Sequence, residues 1–290
     1  MAGKVLATDL DGTLFYPKAT SRIIPKKNLL FLKKWIAEGN RVVMVSSRSC
    51  AFEQRLRKRF DFPFDFIGAD GAFADIEGQR VYEKAFDPEK LRSLLFEIER
   101  NYSPAMMILT SADYPLLMTK TDNRGLPNFM YMLYQAVQGK YREKRVRNDH
   151  VFYREVAQGK CYKIMFTFGV TKKKQRLAEH IASVLAKEYP DFEIAWIKEF
   201  IEVTPKGCTK ASGLGFYLDY LKVKPENVSV VGDSGNDVPM FHAYPEGSYC
   251  MAHSPASVKK EAHAVIKRVS DLEELVLYPS VDSSSNPKKE

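Results

Sequence analysis

"KVLATDLDGTLFYP", residues 4–17, drives a short apolar run, Val5 to Ala7, straight into two carboxylates, Asp9 and Asp11, with Gly12 and Thr13 behind them. The run reads as a buried strand, and the acids stand where it ends. The first eighty residues alternate in pattern. A helix is expected at about 25–38, with Leu29, Leu32 and Ile36 on one face and Gly39 as its stop. "RVVMV" (41–45) follows, unbroken in apolar and β-branched residues as befits a parallel strand covered on both faces. A basic helix at about 50–60 and the strand "DFIGA" (65–69) continue the series. Strand, helix, strand, helix, strand predicts right-handed βαβ units in an α/β fold built on a doubly wound parallel sheet.

The pattern then changes. Between about 80 and 199 strands come in neighbouring pairs: "RVYEKAF" (80–86), "AMMIL" (105–109), "PLLMTK" (115–120), "CYKIMFTFG" (161–169) and "FEIAWI" (192–197). Helices are expected among them at about 88–101, 126–137 and 172–188. The alternating pattern resumes with a helix at about 209–221, the strand "NVSVVG" (227–232), a helix at about 236–243 and a further strand–helix repeat to about 277. The expected organisation is therefore a discontinuous Rossmann-like core, 1–80 and 200–278, interrupted by an α+β module at 81–199. The polar tail 279–290 lacks periodicity and is expected to be disordered.

With 290 residues, 45% hydrophobic and 28% charged, the chain has the composition of a globular protein. The first strand begins without a basic and apolar leader, and no run reaches the roughly 18 apolar residues of a membrane span. Cys50, Cys161, Cys208 and Cys250 form no CxxC pair, which fits reduced thiols in a cytoplasmic protein. The net charge of +8 has two readings. A nucleic-acid surface would concentrate it, and "KYREKRVR" (140–147) is the one mixed basic–aromatic run; "KKK" (172–174) reads as a solvated helix start. Attraction of a small anion explains the balance equally well, so neither nucleic acid nor membrane is expected as a partner.

In an open parallel sheet ligands bind beyond the carboxyl ends of the strands. Those ends deliver Asp9 and Asp11 from the first strand, Ser46, Ser47 and Arg48 from the second, and Asp233, then Asn236 and Asp237, from "NVSVVG". Lys210 opens the helix after "PKGCT". Converging carboxylates raise one another's pKa, and a hard divalent cation such as Mg²⁺ relieves the conflict. A lysine at a helix N-terminus opposes the dipole unless an anion sits there. Acids, hydroxyl donors and an anion-seeking lysine together point to phosphoryl chemistry. Taken singly each piece has a bland reading: a polar strand end, a surface lysine, or a calcium-loop fragment lacking the alternating acids of an EF-hand.

"DLDGT" (9–13), Ser46 after "VVMV", Lys210 and "GDSGND" (232–237) resemble, in chain order, the four motifs of the haloacid dehalogenase-like hydrolase superfamily. The inserted module, with "TPKGCTKASGL" (204–214) and "MAHSPASVKKEA" (251–262), resembles the Cof-like and sucrose-phosphatase-like phosphatases with a type IIB cap. The resemblance implies a Mg²⁺-dependent phosphomonoesterase acting on a small phosphorylated metabolite, a sugar phosphate by preference. Asp9 would be the nucleophile and Asp11 the general acid and base. Thr13, Ser46, Ser47 and Lys210 would contact phosphate. Asp9, the Asp11 carbonyl and Asp233 would hold the metal, with Asn236 and Asp237 at its edge. The second acid, Asp11, favours phosphatases and mutases over dehalogenases.

Two departures stand out. The family's Thr-Gly-Arg is Ser46-Ser47-Arg48 here, leaving open which serine donates, with Ser46 favoured by its place at the strand end; Arg48 becomes a candidate substrate contact. "GADGA" (68–72) carries Asp70 where relatives often have Asn, so Asp70 either accepts from a substrate hydroxyl or caps its own turn. A hexose-phosphate mutase, a phospho-ligand sensor and a nucleic-acid binder are the competing functions. The five histidines have no metal-ligand spacing, and the sequence is equally compatible with a monomer and a homodimer.

Overall fold

A computed structural model describes residues 3–18, 23–120, 133, 143–169, 171–197 and 200–278. Strand β1 (Val5–Thr8) runs parallel between β2 (Arg41–Val45) and β12 (Val228–Gly232). Parallel pairing continues through β3 (Asp65–Gly68) on one side and β13 (Ser248–Met251) and β14 (Ala264–Ile266) on the other. An antiparallel margin, β4 (Phe73–Ile76) and β5 (Gln79–Glu83), completes the order β14-β13-β12-β1-β2-β3-β4-β5. The chain winds one way from β1 and later the other, so the sheet reverses beside β1 and opens a crevice at its carboxyl end.

Both faces of this sheet are covered, which explains its continuous apolar strands. Val5, Ala7, Val43, Val45 and Ile67 pack against Leu214, Tyr217 and Leu218 of a helix at Lys210–Leu221 and against Met240 and Phe241. Leu6, Val42, Met44 and Phe66 face the opposite side with Phe31, Leu32 and Trp35 of α1 (Lys26–Ala37) and Phe52 and Leu56 of α2 (Cys50–Arg57). Burying one such side chain contributes about 1.5–3 kcal/mol, so these layers fix the strand ends rigidly.

A second sheet has the order β10-β11-β9-β6-β7-β8. It comprises β6 (Met106–Ser111), β7 (Leu116–Lys120), β8 (Arg145–Arg147), β9 (Cys161–Thr167), β10 (Phe192–Ile197) and β11 (Phe200–Pro205). One face packs on three helices, α3 (Pro88–Tyr102), α4 (Asp149–Gln158) and α5 (Lys172–Glu188), through Leu91, Leu94, Phe152, Ile181 and Leu185. Of the helical-spaced apolar residues Leu177, Ile181, Val184 and Leu185, Ile181 and Leu185 are buried core, Val184 is half-buried and Leu177 is exposed.

Sheet membership differs from the expected 81–199 module at both ends. Residues 79–83 pair antiparallel with β4 and so extend the first sheet, whereas Phe200–Pro205 pairs with β9 and β10 in the second. Local periodicity cannot distinguish these outcomes, because an alternating strand fits either sheet's margin. The helix expected at 126–137, apart from residue 133, residues 140–142 of the basic run and the tail 279–290 lie outside the described residues. All four cysteines are free and buried, and burial pushes the thiols of Cys50 and Cys208 up to about 11 and that of Cys161 to about 12. No helix among the described residues is long and apolar enough to cross a membrane.

Candidate active site

The first sheet ends β1 at Thr8, one residue before the acids. Asp9 stays extended, its N–H donating to the Val231 carbonyl of β12 (2.9 Å), and its side chain is buried. The chain then turns through Leu10–Leu14, so Asp9 and Asp11 do not lie on one face of a strand. Gly12 makes the turn at φ +88°, and a Cβ there would lie 2.4 Å from Asp233 Oδ2. Only glycine lets the backbone approach that carboxylate so closely.

Lys210 is the first residue of α6 (Lys210–Leu221), whose N-terminus is closed by a reciprocal Thr209–Ser212 capping box. The capped helix aims the lysine back beneath β1. Its Nζ, in a side chain only 2% exposed, lies 2.7 Å from Asp9 Oδ1 and 2.6 Å from Asp237 Oδ1. The other oxygen of Asp237 accepts from the Asp233 and Ser234 N–H groups at 2.9 and 3.0 Å. Asp237 thereby fixes both the lysine and the loop carrying Asp233.

Carboxylate oxygens of Asp9, Asp233 and Asp237 lie within 4.8 Å of one another. Burial drives the Asp9 carboxyl well above its usual range; Lys210 opposes the rise, and Asp237 and Asp233 add to it. Asp233 is raised too, first by burial and then by Asp237. Burial disfavours the Lys210 ammonium, yet Asp237 and Asp9 outweigh that and hold it charged. Three acids sharing one ammonium leave the cluster short of positive charge. An all-oxygen donor set with such a deficit fits a hard divalent cation. Because both Asp237 oxygens are already engaged, Asp9 and Asp233 are the better-placed ligands.

The other expected residues have partners within the chain. The Thr13 hydroxyl, expected on phosphate, donates to Asp233 Oδ1 at 3.2 Å and is fully buried. Ser46, at the end of β2, is buried, and its Oγ accepts from the Arg48 N–H at 3.3 Å. Ser47 contributes its carbonyl, which accepts from Lys163 Nζ at 3.0 Å. Arg48, the candidate substrate contact, forks onto Asp11, Nε to Oδ2 at 2.7 Å and Nη2 to Oδ1 at 2.8 Å. Its Nη1 lies 3.4 Å from Glu143, whose other oxygen accepts from the Ser49 N–H at 2.9 Å.

The Asp70 carboxylate does not cap its own turn. Asp70 sits in the left-handed region (φ 57°), and its carboxylate accepts from Lys163 Nζ at 3.1 Å and from Asn236 Nδ2 at 3.2 Å. Burial alone would raise its pKa, but Lys163 and Lys210 bring it below the usual carboxylate range. Asn236 thus lies between the Asp233 loop and Asp70, with its Oδ1 accepting from Ser234 Oγ at 2.7 Å.

Sequence reading missed Lys163, Glu143, Tyr16 and His253. The His253 Nε2 lies 3.8 Å from Asp233 Oδ2, and its ring rests on Tyr16 with centroids 4.0 Å apart. Lys163 left one trace, as the only charged residue of "CYKIMFTF"; the other three left none.

Residues 6–273 match the family model described as haloacid dehalogenase-like hydrolase. The chain is 22% identical over 284 residues to the chloroplastic endoribonuclease YBEY of Arabidopsis thaliana, matching over 91% of its own length but spanning only 43% of that protein. It is 22% identical over 278 residues to YkrA of Bacillus subtilis, provisionally named a phosphatase, covering 93% and 95% of the two chains. The fold is similar to that of the subclass IIB sugar phosphatase BT4131, with TM-score 0.68, 21% identity, and coverage of 94% of this chain and 98% of that one. Three motifs at strand ends and one at a helix start, a shared fold and a match across nearly the whole length lead to one assignment: this chain belongs to the haloacid dehalogenase-like hydrolases.

Proposed function

We propose that the chain is a phosphomonoesterase that releases inorganic phosphate from a small phosphorylated metabolite, a sugar phosphate being the favoured class, through an aspartyl-phosphate on Asp9. The observation that carries this reading is the buried Asp9 carboxylate, 2.7 Å from Lys210 and grouped with Asp233 and Asp237 at the end of the central strand. The name of BT4131 as a sugar phosphatase supports the substrate class by fold likeness.

A carboxylate oxygen of Asp9 attacks phosphorus in line. The O–P bond forms as the ester P–O bond breaks, and Asp11 gives its proton to the departing oxygen. Asp11 then takes a proton from water, whose oxygen attacks the same phosphorus and returns Asp9 as a carboxylate. Lys210 and the donors of the Ser46–Arg48 segment hold the phosphoryl oxygens, which a loose transition state leaves highly charged. Arg48 grips Asp11 in the present geometry. An incoming phosphate competes for that guanidinium and frees the acid. Mg²⁺, held by Asp9, the Asp11 carbonyl and Asp233, would supply charge neutralisation at the phosphate. Cytoplasmic location accords with the reduced, buried thiols.

A panel of phosphorylated metabolites and p-nitrophenyl phosphate, scored for phosphate release with Mg²⁺ and with chelator, tests the proposal. Turnover that needs the cation and vanishes in Asp9→Asn is expected. Isomer interconversion without phosphate release would make the chain a mutase. Binding without turnover of any ester would make it a sensor.

A further inference from the structure

Lys163 belongs to β9 of the second sheet, yet its side chain is only 4% exposed and ends among the loops of the first. Its Nζ lies 3.0 Å from the Ser47 carbonyl, 3.1 Å from Asp70 Oδ2 and 3.8 Å from Glu202 Oε1. An ammonium has three protons, and three oxygens surround this one. Each partner stands on a different element. Ser47 lies in the loop after β2, Asp70 in the turn after β3, and Glu202 on β11. Asp70 passes the connection on, its other oxygen accepting from Asn236 after β12.

The backbone joins the same loops. Asp70 N–H donates to the Ser46 carbonyl at 3.2 Å and Ala69 N–H to the Arg48 carbonyl at 2.9 Å. Gly71, next in the turn, is so close to the Thr209 carbonyl that a Cβ there would come within 2.0 Å. The turn after β3 is therefore wedged between the Ser46–Arg48 segment and the N-terminus of α6, and Lys163 is the side chain that closes it from above.

We infer that Lys163 is a positioning residue for the reaction: by holding the Ser47 carbonyl it sets the direction of the Ser46 and Arg48 donors, and through Asp70 it holds Asn236 beside the Asp233 loop. The inference rests on the proposed phosphatase reading. It makes the second sheet part of the site's framework as well as a cover. Charge compensation of Asp70 is a separate task of the same ammonium, and the two can be pulled apart. Removing Lys163 alone abolishes both. Removing the Asp70 charge as well restores the electrostatic balance at that residue without restoring the bond to Ser47.

Lys163→Met, Asp70→Asn and the double variant are compared by thermal unfolding, by kcat and KM with p-nitrophenyl phosphate, and by calorimetric affinity for inorganic phosphate. Lys163→Met is expected to lower Tm and to reduce kcat and phosphate affinity by about tenfold or more, since displacing reacting groups by ~1 Å costs on the order of 100-fold. The double variant is expected to regain most of the Tm while kcat and phosphate affinity stay low. Asp70→Asn, which keeps the Lys163–Ser47 bond, is expected to lose less of both than Lys163→Met. Recovery of kcat and affinity together with Tm in the double variant would overturn the inference, as would a Lys163→Met protein unchanged in both. Should Lys163→Met not fold, the double variant and Asp70→Asn carry the same comparison. A wild-type protein that neither binds phosphate nor turns over any ester would instead overturn the proposed function. An active wild type matched by an equally active double variant overturns only the role of Lys163.

Discussion

Replacing Lys210 by Met keeps the length and bulk of the side chain and deletes the ammonium that lies 2.7 Å from Asp9 and 2.6 Å from Asp237. Both carboxylates are buried, Asp237 completely, so neither gains water in exchange. Breaking a buried ion pair from one side costs about 3–5 kcal/mol, because the remaining charge is stranded. Two carboxylates share this lysine, which puts the expected loss toward the upper end. The sign with pH follows from Asp9, whose folded pKa already lies above its value of 3.8 as an isolated group and rises further once Lys210 is gone. A carboxyl that holds its proton more tightly when folded favours folding at low pH and loses that advantage as pH rises through the folded value. The deficit of Lys210→Met is therefore expected to be smallest in acid and to widen toward neutrality. Urea unfolding of both proteins in chelator, at several pH values between about 5 and 8, measures it. Adding Mg²⁺ should recover part of the loss, since a cation that binds only the folded state stabilises by about 2.7 kcal/mol at a hundredfold excess over Kd. A deficit below ~1 kcal/mol, or one flat in pH, would refute the assignment of this cluster as a charge-deficient site.

Gly12→Ala forces a side chain into φ +88° and sets its Cβ against Asp233; a stability loss of at least ~1 kcal/mol is expected, with kcat falling about 100-fold as Asp233 is displaced. Unfolding curves and steady-state kinetics on the same preparation check both. Arg48→Ala releases Asp11 and Glu143 from their shared guanidinium; kcat should fall and KM rise together, and a change in KM alone would speak against a link to Asp11. Glu53 is buried, hydrogen-bonded near Asp75 and paired with Arg57, and burial followed by Asp75 pushes its carboxyl up to about 8 against 4.5 as an isolated group. The folded state therefore binds the extra proton between those values, so wild-type stability should decline as pH rises from about 4.5 to 8 and Glu53→Gln should flatten that decline in pH-dependent melting curves.

Some contacts reveal why a local pattern reads incompletely. Tyr162 and Lys163 are neighbours on β9 and point to opposite faces, yet both reach the first sheet. The Tyr162 hydroxyl accepts from Arg80 at 2.6 Å and donates to Glu83 at 2.9 Å, and its ring joins the first sheet's apolar cluster beside Phe73. The sequence "CYKIMFTF" identifies a strand correctly, but nothing in its alternation says that its side chains will reach the first sheet and its loops. Similarly, the "DLDGT" motif puts Asp11 near Asp9 without indicating that Arg48, 37 residues away, captures it.

The parallel part of the first sheet was legible in the sequence, because strand and helix periods are local, as were the chemical groups at its strand ends; its antiparallel margin, β4 and β5, was not. Asp9, Asp233 and Asp237 could be grouped from that rule, since parallel strands in register must deliver their ends to one edge, and Lys210 joined them through the anion-seeking character of a lysine at a helix N-terminus. Tertiary structure decided how those groups are spent: Thr13 on Asp233, Arg48 on Asp11, Asp70 on Lys163, and Asp237 on a loop and a lysine at once. Such pairings join residues tens to hundreds of positions apart, and their energies depend on burial and on the competing charges nearby. Those quantities come into existence only when the chain has closed around them.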